Sequence, residues 1–141
     1  MTLPDPDTSA RSAVTAVAPA APANALAHFR ALLAFETDCW DVHDALSSGD
    51  PDFVLLQTNT TPDGFAAGHL PGAVHLPHRD ITADALAAWP EDTVFVVYCA
   101  GPHCNAADHG AARIAALGRP VKKMLGGITG WLDEGFALVT G

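Results

Sequence analysis

Cys99 is the residue best placed for chemistry. An apolar run, Val94-Phe95-Val96-Val97-Tyr98, ends at it, and Ala100-Gly101-Pro102-His103-Cys104-Asn105 separates it from a helical stretch, Ala106 to Leu117. A thiol between a strand and a helix suits nucleophilic attack. The run is short and β-branched, so it reads as a buried strand. Gly101 and Pro102 break it, and Asn105 is a residue type that caps helix starts. A cysteine in such a loop faces backbone N–H groups and the positive end of a helix dipole, both of which stabilise a thiolate. The expectation is a Cys99 pKa below the ordinary ~8.5, and alkylation of Cys99 faster than of Cys39.

The other elements must hold that loop in place. Leu26, Phe29, Leu32 and Leu33 have helical spacing. Phe35-Glu36 reads as a short strand. Thr37 or Asp38 caps a helix over 39–46 that Ser48-Gly49 ends. Phe53 to Leu56 is a second strand, and 59–64 is turn chemistry with one helical turn after it. Gly68-His69-Leu70-Pro71-Gly72 is a rigid turn into a third strand, 73–76. Thr82 caps a helix over 83–88. Strand 94–98, helix 105–117, strand 121–125, a Gly126-Gly127 turn and a helix over 128–133 complete the order. Strands alternating with helices predict an α/β fold with a five-stranded parallel sheet and helices on both faces. Active sites of such sheets lie at the carboxyl ends of the strands, where Cys99 falls.

The 141 residues suit one domain, and a hydrophobic share of 49% suits a globular one. A formal net charge of −9 argues against nucleic acid or an anionic membrane as partner. Three cysteines at uneven spacing do not form a disulfide framework, and a reducing, cytoplasmic setting is expected. No apolar stretch approaches the ~20 residues that span a bilayer. Residues 1–25 are rich in Ala, Pro and Thr with one basic residue, Arg11, which makes a poor signal peptide. They read as a mobile tail, followed by a single domain over 26–141.

Three stretches resemble the rhodanese-like domain. Gly68-His69-Leu70-Pro71-Gly72-Ala73 is similar to the family's Gly-His-Ile-Pro-Gly-Ala turn. Val96-Val97-Tyr98-Cys99, with its short loop and Ala-rich helix, is similar to the family's active-site segment. Leu125-Gly126-Gly127 followed by Trp131 is similar to its closing Leu-x-Gly-Gly-x-x-x-Trp. The resemblance covers roughly residues 35–136. It implies a rhodanese-like fold, a Cys99 persulfide as carrier of sulfane sulfur, and a substrate loop of Ala100, Gly101, Pro102, His103, Cys104 and Asn105. A small sulfur donor and a thiol, cyanide or protein acceptor are the implied partners, with no cofactor and no metal. The spacing Cys-x₃-His-Cys lacks the two separated pairs of a zinc site.

Two departures from the family pattern stand out. The family's Asp-Val-Arg at the end of the second strand is replaced by Gln57-Thr58-Asn59, which puts rigidity and local charge in doubt. The loop also lacks the Arg or Lys of thiosulfate-using relatives and offers only His103. A phosphatase would need Cys-x₅-Arg to grip an oxyanion bidentately, and Asn105 stands at that position. A non-catalytic binding or sulfur-sensing module is the other reading. Cys104 is open between accepting sulfur from Cys99, pairing with it as a disulfide, and filling the loop. His103 is open between stabilising the thiolate, contacting substrate and lying exposed. His69 reads as structural, His75, His78 and His109 as surface or satisfied, Cys39 and Trp40 as core, and Lys122 and Lys123 as solvated.

Overall fold

A computed structural model describes residues 11–141. The chain divides into two compact units, Met1–Leu33 and Ala34–Gly141. Residues 1–10 of the expected tail lie outside the described residues. Further along that tail the chain is helical in two places, α1 (Ala13–Ala16) and α2 (Pro22–Phe35), so the first long helix starts at Pro22 rather than near Leu26. Proline's preset φ suits a first helical turn, and alanines at 23 and 25 favour its continuation.

In the second unit five strands form one parallel sheet in the order β1-β5-β4-β2-β3. They are β1 (Glu36–Thr37), β2 (Val54–Gln57), β3 (Val74–His75), β4 (Phe95–Tyr98) and β5 (Val121–Met124). Between them run α3 (Cys39–Ser47), α4 (Pro62–Ala67), a 3₁₀ turn (His78–Asp80), α5 (Ala83–Leu86) and α6 (Ala106–Ala116), and α7 (Gly127–Asp133) closes the unit. Local chemistry sets the helix starts. Asp38 caps α3 by accepting from the Asp41 N–H at 2.8 Å, Thr61 caps α4 at 3.1 Å and Thr82 caps α5 at 3.1 Å. Asn105 holds the cap position of α6, yet its side chain makes no cap hydrogen bond. Its backbone, φ −103° and ψ 12°, is not in the extended region from which a cap side chain reaches forward.

Strand alternation divides the core between the two faces. From β4, Phe95 and Val97 pack with Leu56, Ile81, Leu86 and Ile114 on the side of α5 and α6. Val96 and Tyr98 pack with Leu55, Val42, Met124 and Trp131 on the side of α3 and α7. The expected two-faced α/β sheet is thus present, with β4 at its centre.

Candidate active site

The alternation along β4 sends the next odd residue, Cys99, to the α6 side, where it joins the cluster of Phe95 and Val97. It leaves the carboxyl end of the central strand. There β2 connects outward to β3 and β4 connects the other way to β5, so the crevice between β2 and β4 is the switch point of the sheet. The loop then folds back on itself. The Cys104 N–H donates to the Gly101 carbonyl at 3.0 Å, and the Cys99 thiol donates to the Cys104 carbonyl at 3.2 Å. The Gly101 and Ala107 N–H groups face the Cys99 sulfur and favour its thiolate. Loop and helix start therefore supply a partial amide cradle.

The first turn of α7 holds the loop from the other side. Ile128 N–H donates to the Cys99 carbonyl and Thr129 N–H to the Ala100 carbonyl, each at 3.0 Å, and the Thr129 hydroxyl adds a bond to Ala100 O at 3.2 Å. This close approach explains the glycine pair. Gly127 has φ +57°, and a Cβ there would lie 2.8 Å from Gly101 N, 2.9 Å from Ala100 C and against Cys99 O. Over this anchored loop lies a cavity of about 260 Å³ lined by Ala100, Gly101, Pro102, His103, Cys104 and Thr129. Cys99, 3% exposed, lies beneath it. A larger hollow of about 610 Å³ opens toward the amino ends of β2, β4 and β5, away from the loop thiols.

The Gln57-Thr58-Asn59 segment braces the site without charge. Tyr98 Oη donates to Gln57 Oε1 at 2.7 Å and accepts from Leu70 N–H at 3.2 Å. Gln57 Nε2 donates to Asn59 Oδ1 at 3.1 Å, and Thr58 binds the Tyr98 carbonyl through its hydroxyl at 3.1 Å and its N–H at 3.0 Å. The residue preceding Cys99 is thus held by β2 and by the Leu70 turn. Tyr98→Phe would leave Gln57 Oε1 and Leu70 N–H buried without this partner. A loss of roughly 1–3 kcal/mol in urea-unfolding stability is expected, and a loss below 0.5 kcal/mol, on the scale of ordinary surface substitutions, would show the brace to be idle.

Of the two loop thiols, Cys104 ionises more readily than Cys99. Burial pushes the Cys99 thiol up, to about 11, and the neighbouring Cys104 side chain adds to it, while the Ala107 and Gly101 N–H groups pull the other way. At Cys104 burial also raises the pKa, but the neighbouring Cys99 side chain and the N–H groups of Ala106 and Ala100 bring it below the ordinary value. The expectation of a low-pKa Cys99 is therefore corrected. The amides are present, but the sulfur sits too deep for them to prevail. Iodoacetamide at neutral pH should label Cys104 first, with Cys99 lagging and gaining about tenfold in rate per pH unit up to its pKa near 11. Peptide mapping after a brief pulse reads the order, and preferential labelling of Cys99 would overturn this ranking.

Residues 41–134 match the family model described as the rhodanese-like domain. The chain belongs to the rhodanese-like family. Its fold is similar to the crystal structure of the BH2092 protein from Bacillus halodurans, at 29% identity and TM-score 0.81 over 85% of this chain and 87% of that one. It is also similar in fold to the rhodanese-like domain of the Alr3790 protein from Anabaena sp., at 21% identity and TM-score 0.65 over 75% and 79% of the two chains. The fold likeness extends to a thiosulfate sulfurtransferase from Pseudomonas aeruginosa, at 20% identity and TM-score 0.64 over 84% of this chain and 21% of that one. Among curated proteins, the HTH-type transcriptional regulator Rv0324 of Mycobacterium tuberculosis is 40% identical over 78 residues, 50% of this chain and 34% of that protein. The chain spans about a third of the length of that relative.

Within this rhodanese-like domain the loop residues Ala100, Pro102, His103 and Asn105 are exposed, while Gly101 and Cys104 are half-buried. His69 is structural: Nδ1 lies 2.8 Å from the Phe65 carbonyl and the ring stacks on Phe65. His78 and His109 stack on each other at 5.2 Å, a pairing with no signal in their spacing. Cys39 is core, whereas Trp40 is 58% exposed, correcting its core reading, and donates from Nε1 to Glu134 Oε2 at 2.9 Å. Lys123 is not merely solvated; it pairs with Asp108 at 3.1 Å. Thr129 and Tyr98 escaped the sequence reading, although both stand inside the motif stretches. Among the described residues no three His, Cys, Asp or Glu side chains gather as a metal site, and no helix is long and apolar enough to cross a membrane.

Proposed function

We propose that this domain is a sulfurtransferase that carries sulfane sulfur as a Cys99 persulfide. The observation that carries the reading is the placement of Cys99 Sγ at the switch point of the sheet with the Gly101 and Ala107 N–H groups on it. As a donor approaches, the Cys99 thiol gives up its proton to solvent base. The Cys99 thiolate attacks the outer sulfur of the donor and expels its thiolate or sulfite. Its high pKa limits the fraction ionised but raises the reactivity of that fraction. A thiol, cyanide or protein thiolate then takes the sulfur, so turnover is ping-pong. Intact-mass spectrometry after incubation with a donor tests the reaction: a gain of one sulfur, about 32 Da, on the Cys99 peptide supports it. A chain that stays at its starting mass with every donor argues against it.

A second reading is favoured by the likeness of half the chain to a transcriptional regulator and by the raised Cys99 pKa. In it the same loop takes up sulfur as a signal rather than for turnover. Steady-state transfer to an acceptor separates the two, because a sensor loads once and does not cycle.

Thiosulfate should be the poorer donor, and glutathione persulfide the better one. A formal charge of −9 opposes a dianion, and no Arg or Lys lines the loop cavity to hold departing sulfite. Ala100, exposed and on the cavity wall, is the place to add one. Ala100→Arg should lower the KM for thiosulfate selectively. The benefit should fade at high salt, where exposed charges are screened within ~8 Å or less. Equal turnover of both donors by the unmodified chain would mean that the cavity is less hostile to anions than its lining implies.

A further inference from the structure

The loop holds two thiols, and the carrier reading uses only one as a sulfur site. Cys104 is not remote from the other. The turn closed by Cys104 N–H on Gly101 O brings its main chain within 3.2 Å of Cys99 Sγ, and each thiol shifts the ionisation of the other. Their settings differ. Cys99 is buried in the β4–α6 cluster, whereas Cys104 is half-buried and lines the 260 Å³ cavity over the loop. The inner sulfur is thus boxed in on one side by core and on the other by a second sulfur.

We propose that Cys104 is a resolving thiol whose thiolate attacks Sγ of a Cys99 persulfide, closing a Cys99–Cys104 disulfide and expelling the outer sulfur as hydrosulfide. The inference rests on the loading of Cys99 proposed above. The bond formed is Sγ(99)–Sγ(104), and the bond broken is the persulfide S–S. The electron pair and the persulfide hydrogen leave together as HS⁻. The outer sulfur is reduced, and the two cysteines are oxidised by two electrons. An external thiol, entering from the cavity at Cys104, returns the pair to dithiol, with a second thiol completing a low-molecular-weight disulfide. Attack at the inner sulfur is also the easier direction. Attack at the outer one would expel the Cys99 thiolate, a poor leaving group with its pKa near 11. The lowered pKa of Cys104 supplies the attacking thiolate at neutral pH.

The test is a pulse of glutathione persulfide on the reduced full chain, without oxygen, followed by intact mass, peptide mapping and hydrosulfide detection. The unmodified chain should gain about 32 Da transiently, then fall to about 2 Da below its starting mass as one hydrosulfide is released per disulfide formed. Cys104→Ser and Cys104→Ala should both hold the heavier mass at least about tenfold longer and never reach the lighter one, since no second thiol stands in the loop. Two results overturn the inference while leaving the carrier reading intact: a persulfide as long-lived in the unmodified chain as in the variants, or the extra sulfur recovered on the Cys104 peptide. Absence of the heavier mass in both variants would instead remove the loading itself, and the inference with it.

Discussion

Cys99→Ser is expected to reduce sulfur loading to background while the domain stays folded. The serine hydroxyl can still donate to the Cys104 carbonyl that the thiol contacts at 3.2 Å, so the loop keeps its closing bond. The cost to stability should be about 1 kcal/mol, from a more polar atom in the cluster of Phe95, Val97 and Ala107. The cost to chemistry should be complete, because a hydroxyl stays protonated where a thiol ionises and forms no persulfide. Intact mass after a donor pulse reads the chemical cost and urea unfolding the stability cost. Undiminished loading in this variant would take Cys99 out of the reaction.

Gly127→Ala should damage both the fold and the site, although it adds one methyl group. That methyl would sit 2.8 Å from Gly101 N and 2.9 Å from Ala100 C, nearer than Cβ atoms approach backbone, and would press on the Cys99 carbonyl. The atoms it meets are main chain, so relief must come from moving α7 or the loop. With the left-handed φ of +57° added, a loss of roughly 2–4 kcal/mol is expected. For a domain of this size that lowers the thermal midpoint by about 10 °C or more. Loading should fall as well, because the Gly101 N–H that faces the sulfur is among the groups displaced. Gly72→Ala separates crowding from backbone strain. Gly72 also has a positive φ, +76°, but nothing lies within 4 Å of its would-be Cβ, so only about 1 kcal/mol should be lost there. Equal losses at the two glycines would mean that the contact between α7 and the loop is soft.

The fold was legible because its signals are short-range and redundant. The β-branched run before Cys99 is β4, the Thr82 cap opens α5, and Gly126-Gly127 turns into α7. The spans drift by a residue or two where a strand end depends on its neighbours: β3 pairs only at Val74–His75 of the expected 73–76. The 3₁₀ turn at His78–Asp80 went unseen because it is held partly by His78 N–H on the Thr58 carbonyl, a contact between distant positions. The site was legible in its place and not in its electrostatics. Amide donors around Cys99 follow from a strand, a loop and a helix in series. The depth of the sulfur, and the second thiol beside it, follow from packing that no local pattern encodes. The same holds for Gln57-Thr58-Asn59, which reads as a missing ion pair until Tyr98 is seen to occupy the gap with neutral hydrogen bonds.

That neutral brace has a practical consequence for how the domain can be interrogated. A carboxylate–guanidinium pair behind the nucleophile would loosen in acid and in concentrated salt, and any titration of the reaction would mix scaffold with sulfur. Here glutamine and threonine do not ionise at all, and burial pushes the Tyr98 hydroxyl still further above its ordinary pKa. The backing of Cys99 is thus silent from mild acid to mild alkali. A rate profile in that range reports the loop and the donor rather than the brace. Its ionic-strength dependence reports the donor's charge against the net −9 of the chain, with no contribution from a loosening ion pair in the brace.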